Sequence, residues 1–122
     1  MSKKVLVVDD SLSMREFLSL LLLTELKNLD IEVTTASDGW TAFDAIGKMS
    51  FDLVLTDNNM PGMQGAELVV AVHDLGCKTP FIMVTGDEEN DVPPVAKKML
   101  KAFVPKPFLV DDFLELIRET LQ

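Results

Sequence analysis

Five side chains that could together handle a phosphoryl group stand at the ends of four short apolar runs in this sequence. Asp9 and Asp10 follow the run 5–8, Asp57 follows Leu53, Val54 and Leu55, Thr85 follows the run 81–84, and Lys106 comes just after Phe103 and Val104. If those runs are parallel strands of one sheet, the five residues share one edge. Three carboxylates gathered there repel one another unless a cation intervenes. A hard divalent ion is the simplest remedy. Carboxylates, a loop carbonyl such as that of Asn59 and water suit Mg2+, whereas the imidazole and thiolate ligands that zinc prefers are not on offer at this edge. Lys106 brings a point charge for a phosphoryl oxygen and Thr85 a neutral hydroxyl donor. Asp57 is then placed to attack phosphorus in line as a carboxylate nucleophile. Taken by itself, ahead of Pro61, Gly62 and Gly65, Asp57 fits a loop-capping aspartate equally well, and the other four residues are what favour the reactive reading.

The elements that must position these groups are legible in the apolar pattern. Residues 5–8 and 53–55 are apolar without alternation, as in strands covered on both faces. Ser13 with Glu16 has the capping-box spacing and predicts a first helix running to about Lys27, with Met14, Phe17, Leu18 and Leu21 inward. Leu20 and Leu23 fall off that stripe and are read as a broad buried face rather than a partner-binding ridge. Residues 31–35 are β-branched enough for a strand, and Ser37, Asp38 and Gly39 form a turn into a second helix with Ala42, Phe43 and Ile46 inward. Trp40, which opens that helix, is read as a partly buried surface residue rather than a stacking platform. A third helix is expected from Ala66 to about Leu75 with Leu68, Val69 and Val72 inward. His73 on it has only Cys77 one turn away, which is too little clustering for a metal site, so it reads as helix-end surface. Pro93 and Pro94 should open a fourth helix, the least stable, ending near Lys101. Asp111 and Asp112 open the last one, with Phe113, Leu116, Ile117 and Leu121 inward. Strand and helix thus alternate five times. This predicts a doubly wound α/β fold with a five-stranded parallel sheet, a flavodoxin-like three-layer sandwich, as a single domain over residues 1–122.

Composition narrows the function. Twenty acidic residues against 11 basic ones give a formal charge of −9, against which a nucleic-acid surface would have to be built. Cys77 is alone, so no intramolecular disulfide can form. The run 5–8 after Lys3 and Lys4 is too short for a signal peptide, and the greasiest stretch, 17–23, falls far short of the ~20 residues that cross a bilayer. A cytoplasmic protein that binds neither nucleic acid nor membrane is expected.

Taken together, the acidic pair after VLVV, Asp57 before the NNMPGMQG loop, Thr85 after FIMV and Lys106 in VPKPF resemble the response-regulator receiver domains of two-component signalling, in their free-standing chemotaxis-type form. The resemblance covers the whole chain. It implies that Asp57 accepts phosphate from the phosphohistidine of a partner kinase or phosphotransfer protein, with Mg2+ held by Asp10, Asp57 and the Asn59 carbonyl and oriented through Asp9. It implies that Thr85 and Phe103 couple the phosphoryl group to the face made by the fourth helix, fifth strand and fifth helix, through which a downstream protein target is engaged by a monomer. Phe103 stands where the family often has tyrosine. The resemblance also places Asn59 and Asp87 beside the water that hydrolyses the phosphoryl group, and it makes the Lys106–Pro107 peptide cis. Two other readings compete. An aspartyl-phosphate hydrolase needs a general acid two residues after the nucleophile, where this chain has Asn59. A pseudo-receiver that only binds a partner would ordinarily lack the nucleophile or the lysine. The expected protein is therefore not an enzyme beyond its own phosphorylation and dephosphorylation.

Overall fold

The apolar runs become the strands β1 (Lys3–Val8), β2 (Ile31–Ala36), β3 (Leu53–Thr56), β4 (Phe81–Thr85) and β5 (Ala102–Pro105). Between and after them lie the helices α1 (Leu12–Glu25), α2 (Gly39–Lys48), α3 (Gly65–Asp74), α4 (Pro94–Lys97) and α5 (Val110–Leu121), with one 3-10 turn at Glu89–Asp91. The structure is a computed structural model and describes residues 2–122. All strand pairs are parallel, in the order β2-β1-β3-β4-β5. Alternate residues of the strands feed two cores. Val5, Val7, Leu53, Leu55, Ile82 and Val84 pack under α1 and α5, and Leu6, Val8, Val54, Phe81 and Met83 pack under α2, α3 and α4. The doubly wound three-layer expectation is met, and the reason is visible in the pattern: strands covered on both faces need apolar residues at both alternations.

The chain leaves β1 outward to β2 and then returns past it to β3, so β1 and β3 flank the point where the winding reverses. In open α/β sheets this is where ligands bind. Val8 lies opposite Thr56, and the ladder runs one residue further, with the Asp57 amide donating to the Val8 carbonyl at 2.9 Å and the Asp9 amide to Ala36 at 3.1 Å. The two aspartates are thereby delivered side by side.

Several local expectations change. The α1 cap is Ser11, whose hydroxyl accepts from the Met14 amide, and Ser13 lies inside the helix. The inward stripe is Leu18 and Leu22, continued by Leu26, with Met14 and Leu21 half-buried. Phe17 is turned out, and Leu20 and Leu23 are 60% and 53% exposed, which overturns the broad buried face. The helix ends at Glu25, short of Lys27, because the Leu29 amide bonds the Leu26 carbonyl in a turn toward β2. Trp40 is 62% exposed, more than expected, because α2 buries its opposite side through Ala42. The indole lies on the β3–α3 loop, close enough that a Cβ on Gly62 would meet it at 3.3 Å. The fourth helix is a single turn. Its successor residues form tighter i→i−3 turns to Leu100, and the Lys101 amide is taken by the Phe81 carbonyl at 2.7 Å, which commits the chain to β5. On α5, Leu114 is buried and Leu116 only half-buried. His73 is exposed in the last turn of α3, as read.

Two contacts fix the loops that carry the carboxylates. Gly65, the first residue of α3, lies so close to the strand end that a Cβ there would come within 2.1 Å of the Asp57 carbonyl oxygen. Backbone on both sides leaves little room to yield, so Gly65→Ala should cost about 1–3 kcal/mol or more in a denaturant titration. Asp38 caps α2, accepting from the Thr41 amide at 2.8 Å and hydroxyl at 3.1 Å, and these bonds hold its carboxyl below the ordinary value of 3.8. Asp38→Ala should lower stability by about 1 kcal/mol at neutral pH. A depressed folded value makes the cap's contribution complete above pH 3.8, the unfolded value, and lost as pH falls through the lower folded one. The gap between the two melting curves should therefore close in acid.

Candidate functional site

Asp9, Asp10 and Asp57 each offer a carboxylate oxygen, and the three oxygens lie within 4.8 Å of one another. Their surroundings differ, which separates their roles. Asp9 is 2% exposed and both its oxygens are committed: Oδ1 accepts from the Ser11 amide at 2.9 Å and Oδ2 from the Lys106 ammonium at 2.9 Å. Asp10 is exposed at the mouth. The Asp57 side chain is 11% exposed; Oδ1 accepts from the Asn58 amide at 2.7 Å, while Oδ2 stands 3.6 Å from Lys106 Nζ, beyond hydrogen-bond length. Among the described residues Asp57 Oδ2 is thus a carboxylate oxygen beside a cation but without a hydrogen-bond donor.

Lys106 reaches this place because its amide donates to the Thr85 carbonyl at 2.8 Å, extending the β4–β5 ladder past the strands. The Lys106–Pro107 peptide is cis, as expected. Thr85 is buried, and its hydroxyl accepts from the Asp87 amide at 3.1 Å. Asn59 is exposed at the start of the β3–α3 loop. Phe103 lies further out on β5, half-buried, opposite Met83 in register and against the α2–α3–α4 core. The all-oxygen donor set fits a hard cation: among the described residues three carboxylates face one ammonium, and no soft ligand joins the cluster.

Two contributing residues escape a reading of the sequence. Arg15 donates from Nη1 to the Asp9 carbonyl at 2.7 Å, clamping the β1–α1 turn. Its signal is a cation in the first turn of a helix, where the dipole disfavours one. Asn58 is buried at 4% exposure: its Oδ1 accepts from the Ala66 amide at 3.0 Å and its Nδ2 donates to Asp87 Oδ2 at 3.0 Å. A polar residue directly after a buried strand is a signal of the same kind, because it must find partners.

A family model described as response regulator receiver domain matches residues 5–118. The chemotaxis protein CheY of Pseudomonas aeruginosa is 35% identical over 123 residues, covering 98% of this chain and 96% of that one. The transcription factor SKN7 of Candida albicans is 32% identical over 73% of this chain, which spans only 16% of that protein. Among solved structures, the response regulator protein TrrA from Thermotoga maritima, in complex with Mg(2+)-BeF, superposes with a TM-score of 0.86 at 28% identity, covering 98% of this chain and 99% of that one. Among the described residues no helix is long and apolar enough to cross a membrane. With a carboxylate cluster and its lysine on the ligand edge of a sheet that the family model spans almost completely, the chain belongs to the response regulator receiver domains, the phosphoacceptor modules of two-component signalling.

Proposed function

We propose that this chain acts as a free-standing receiver whose phosphoacceptor is Asp57. The observation that carries this is the contrast within the cluster: Asp9 has both oxygens bound, whereas the partly exposed Asp57 keeps Oδ2 at 3.6 Å from Lys106, beyond hydrogen-bond length. Asp57 Oδ2 attacks the phosphorus of a phosphohistidine on a kinase or phosphotransfer protein. An O–P bond forms as the P–N bond breaks, and the departing electron pair stays on the imidazole, which takes up a proton. Asp10, Asp57 and the Asn59 carbonyl would hold Mg2+, with Asp9 orienting the site. When bound, the ion supplies neutralisation of the crowded carboxylates and of charge on the phosphoryl oxygens. Lys106 exchanges part of its interaction with Asp9 for a phosphoryl oxygen. Thr85 donates its hydroxyl to another while it still accepts from the Asp87 amide, so the β4–α4 loop follows it.

The output is a protein–protein contact on α4, β5 and α5. As Thr85 moves toward the phosphoryl group, Phe103 turns into the space it leaves, and without a phenol hydroxyl to desolvate this inward rotamer costs less than a tyrosine's. Residues 1–122 act as one receiver domain, cytoplasmic and monomeric, without direct binding to nucleic acid or insertion into membrane. Its catalysis is confined to its own phosphorylation and dephosphorylation. The hydrolytic water meets Asn59 and the Asp87 carboxylate, which Asn58 holds within one residue of Asp57.

Incubation with acetyl phosphate and Mg2+ should yield a single-phosphate adduct by intact mass that decays over seconds to minutes. Steady release of phosphate without an adduct would replace this reading by a hydrolase. Asp57→Asn should abolish the adduct and leave melting unchanged or slightly raised, because it removes one of three crowded anions with little change of shape. An adduct at the wild-type rate in that variant would remove Asp57 from its role. Lys106→Ala strips buried Asp9 of its ion-pair partner and should lower stability by about 3–5 kcal/mol without metal. Mg2+ should restore more of that loss than it adds to the wild type, and calorimetry should show affinity equal or tighter. Weaker Mg2+ binding in a folded variant would make Lys106 part of the metal site instead.

A further inference from the structure

The Asp57 and Asp87 carboxylates come from different strands, yet one residue holds both. The Asn58 amide donates to Asp57 Oδ1 at 2.7 Å, and its side-chain Nδ2 donates to Asp87 Oδ2 at 3.0 Å. The same side chain accepts from the Ala66 amide at 3.0 Å, and the Asn58 carbonyl accepts from Gly65 at 2.9 Å, so the residue is itself anchored to the start of α3. It is 4% exposed, and both side-chain polar atoms are bonded, which leaves it one rotamer. Asp87 is half-buried, and its amide donates to the Thr85 hydroxyl at 3.1 Å. A continuous path therefore runs from Asp57 through Asn58 and Asp87 to Thr85. Neither an apolar residue nor an aspartate at position 58 could make it, since the first has no donor and the second would set an anion against Asp87.

We propose that Asn58 is a positioning residue for hydrolysis of the aspartyl phosphate: it holds the Asp87 carboxylate where that group orients the attacking water. The proposal rests on Asp57 being the acceptor. In the hydrolytic step, water oxygen bonds to phosphorus, the P–Oδ bond breaks with its electron pair returning to Asp57, and the proton leaving the water is accepted by phosphate oxygen or by Asp87. A carboxylate fixed in place loses no orientational freedom at that moment, whereas a free one does. Asn58 touches neither water nor phosphorus and acts only through Asp87.

The test is a double-mutant cycle on the decay of the adduct formed with acetyl phosphate and Mg2+, read by intact mass in full-length protein. Asn58→Leu is close in shape, neutral and unable to donate, and should slow decay by about threefold to tenfold. Asp87→Ala should slow it by at least as much, and adding Asn58→Leu in that background should change nothing further. Should Asn58→Leu not fold, because the Ala66 amide loses its partner, Asn58→Asp keeps that acceptor and enters the same cycle. Its charge also repels Asp87, an effect missing from the Asp87→Ala background, so its coupling supports the inference only when matched by Asn58→Ala, which is neutral and small enough for water to reach the Ala66 amide. An equal slowing by position 58 with and without Asp87 overturns the inference while leaving the acceptor role intact. Coupling seen with Asn58→Asp but not with a folded Asn58→Leu or Asn58→Ala also overturns it, as charge repulsion alone. Absence of any adduct on wild-type protein overturns the acceptor reading, and this inference with it.

Discussion

The ion pair between Lys106 and Asp9 ties the molecule together across most of its width. Asp9 is 2% exposed just past the end of β1, and its cation comes from the chain just beyond β5, with β3 and β4 lying between. A carboxylate so deeply placed is costly unless paired. Pairing therefore requires that β1, β3, β4 and β5 be assembled in register, and it couples the chemistry at the sheet edge to the integrity of the sheet. The neighbouring carboxylates sharpen the demand. One ammonium cannot satisfy Asp9, Asp10 and Asp57 at once, and its distances, 2.9 Å to Asp9 and 3.6 Å to Asp57, show where the compensation is spent. The shortfall is what makes the site receptive to a metal cation, and it keeps Asp57 the less satisfied member.

Backbone fit does for Asp57 what charge does for Asp9. The Asp57 amide is taken by β1, its carbonyl is pressed by Gly65, and the next residue is pinned by hydrogen bonds to the first two residues of α3. The loop 57–65 is therefore held at both ends, with the Trp40 ring lying over Gly62 at its middle. A carboxylate set in such a frame is pre-oriented for the attack proposed for it.

Much of this was readable from residues alone, for identifiable reasons. Strands covered on both faces announce themselves as unbroken apolar runs, and the residue after each run must lie at the sheet edge, which is why Asp9, Asp57, Thr85 and Lys106 could be placed before any coordinates. The helix faces were harder. On α1, leucines or phenylalanine occupy positions 17, 18 and 20–23, so several stripes are equally apolar, and only packing against β1, β2 and α5 selects Leu18 and Leu22. The cap failed for a related reason: Ser11 and Ser13 both offer a hydroxyl, and which one caps depends on where β1 ends. Asn58 is silent in the sequence because a polar residue after a strand end reads as loop. Only the three-dimensional placement of Ala66 and Asp87 reveals that its amide is buried and doubly used.

The stability of the fold is unevenly distributed, and the distribution matches a division of labour. The proposed acceptor, Asp57, sits at the end of β3, the middle strand, whose residues are all buried. The segment after Thr85 is of another kind: a 3-10 turn of three residues, two prolines, one turn of helix and then i→i−3 turns before the edge strand β5. Up to Leu100 the backbone hydrogen bonds of such a segment are short-range turns, and Val92 and Ala96 are its fully buried residues, so it lies toward the low end of local opening free energies. The single charge-assisted hydrogen bond that the Thr85 hydroxyl would donate in the proposed switch brings only about 1.5–3 kcal/mol. That is too little to repack β3 and enough to shift the population of a segment already near balance. On the proposed switch, the Asp87 amide, held by the Thr85 hydroxyl, is where that shift would enter the loop, and Phe103, half-buried on the edge strand, is where the core would accommodate it.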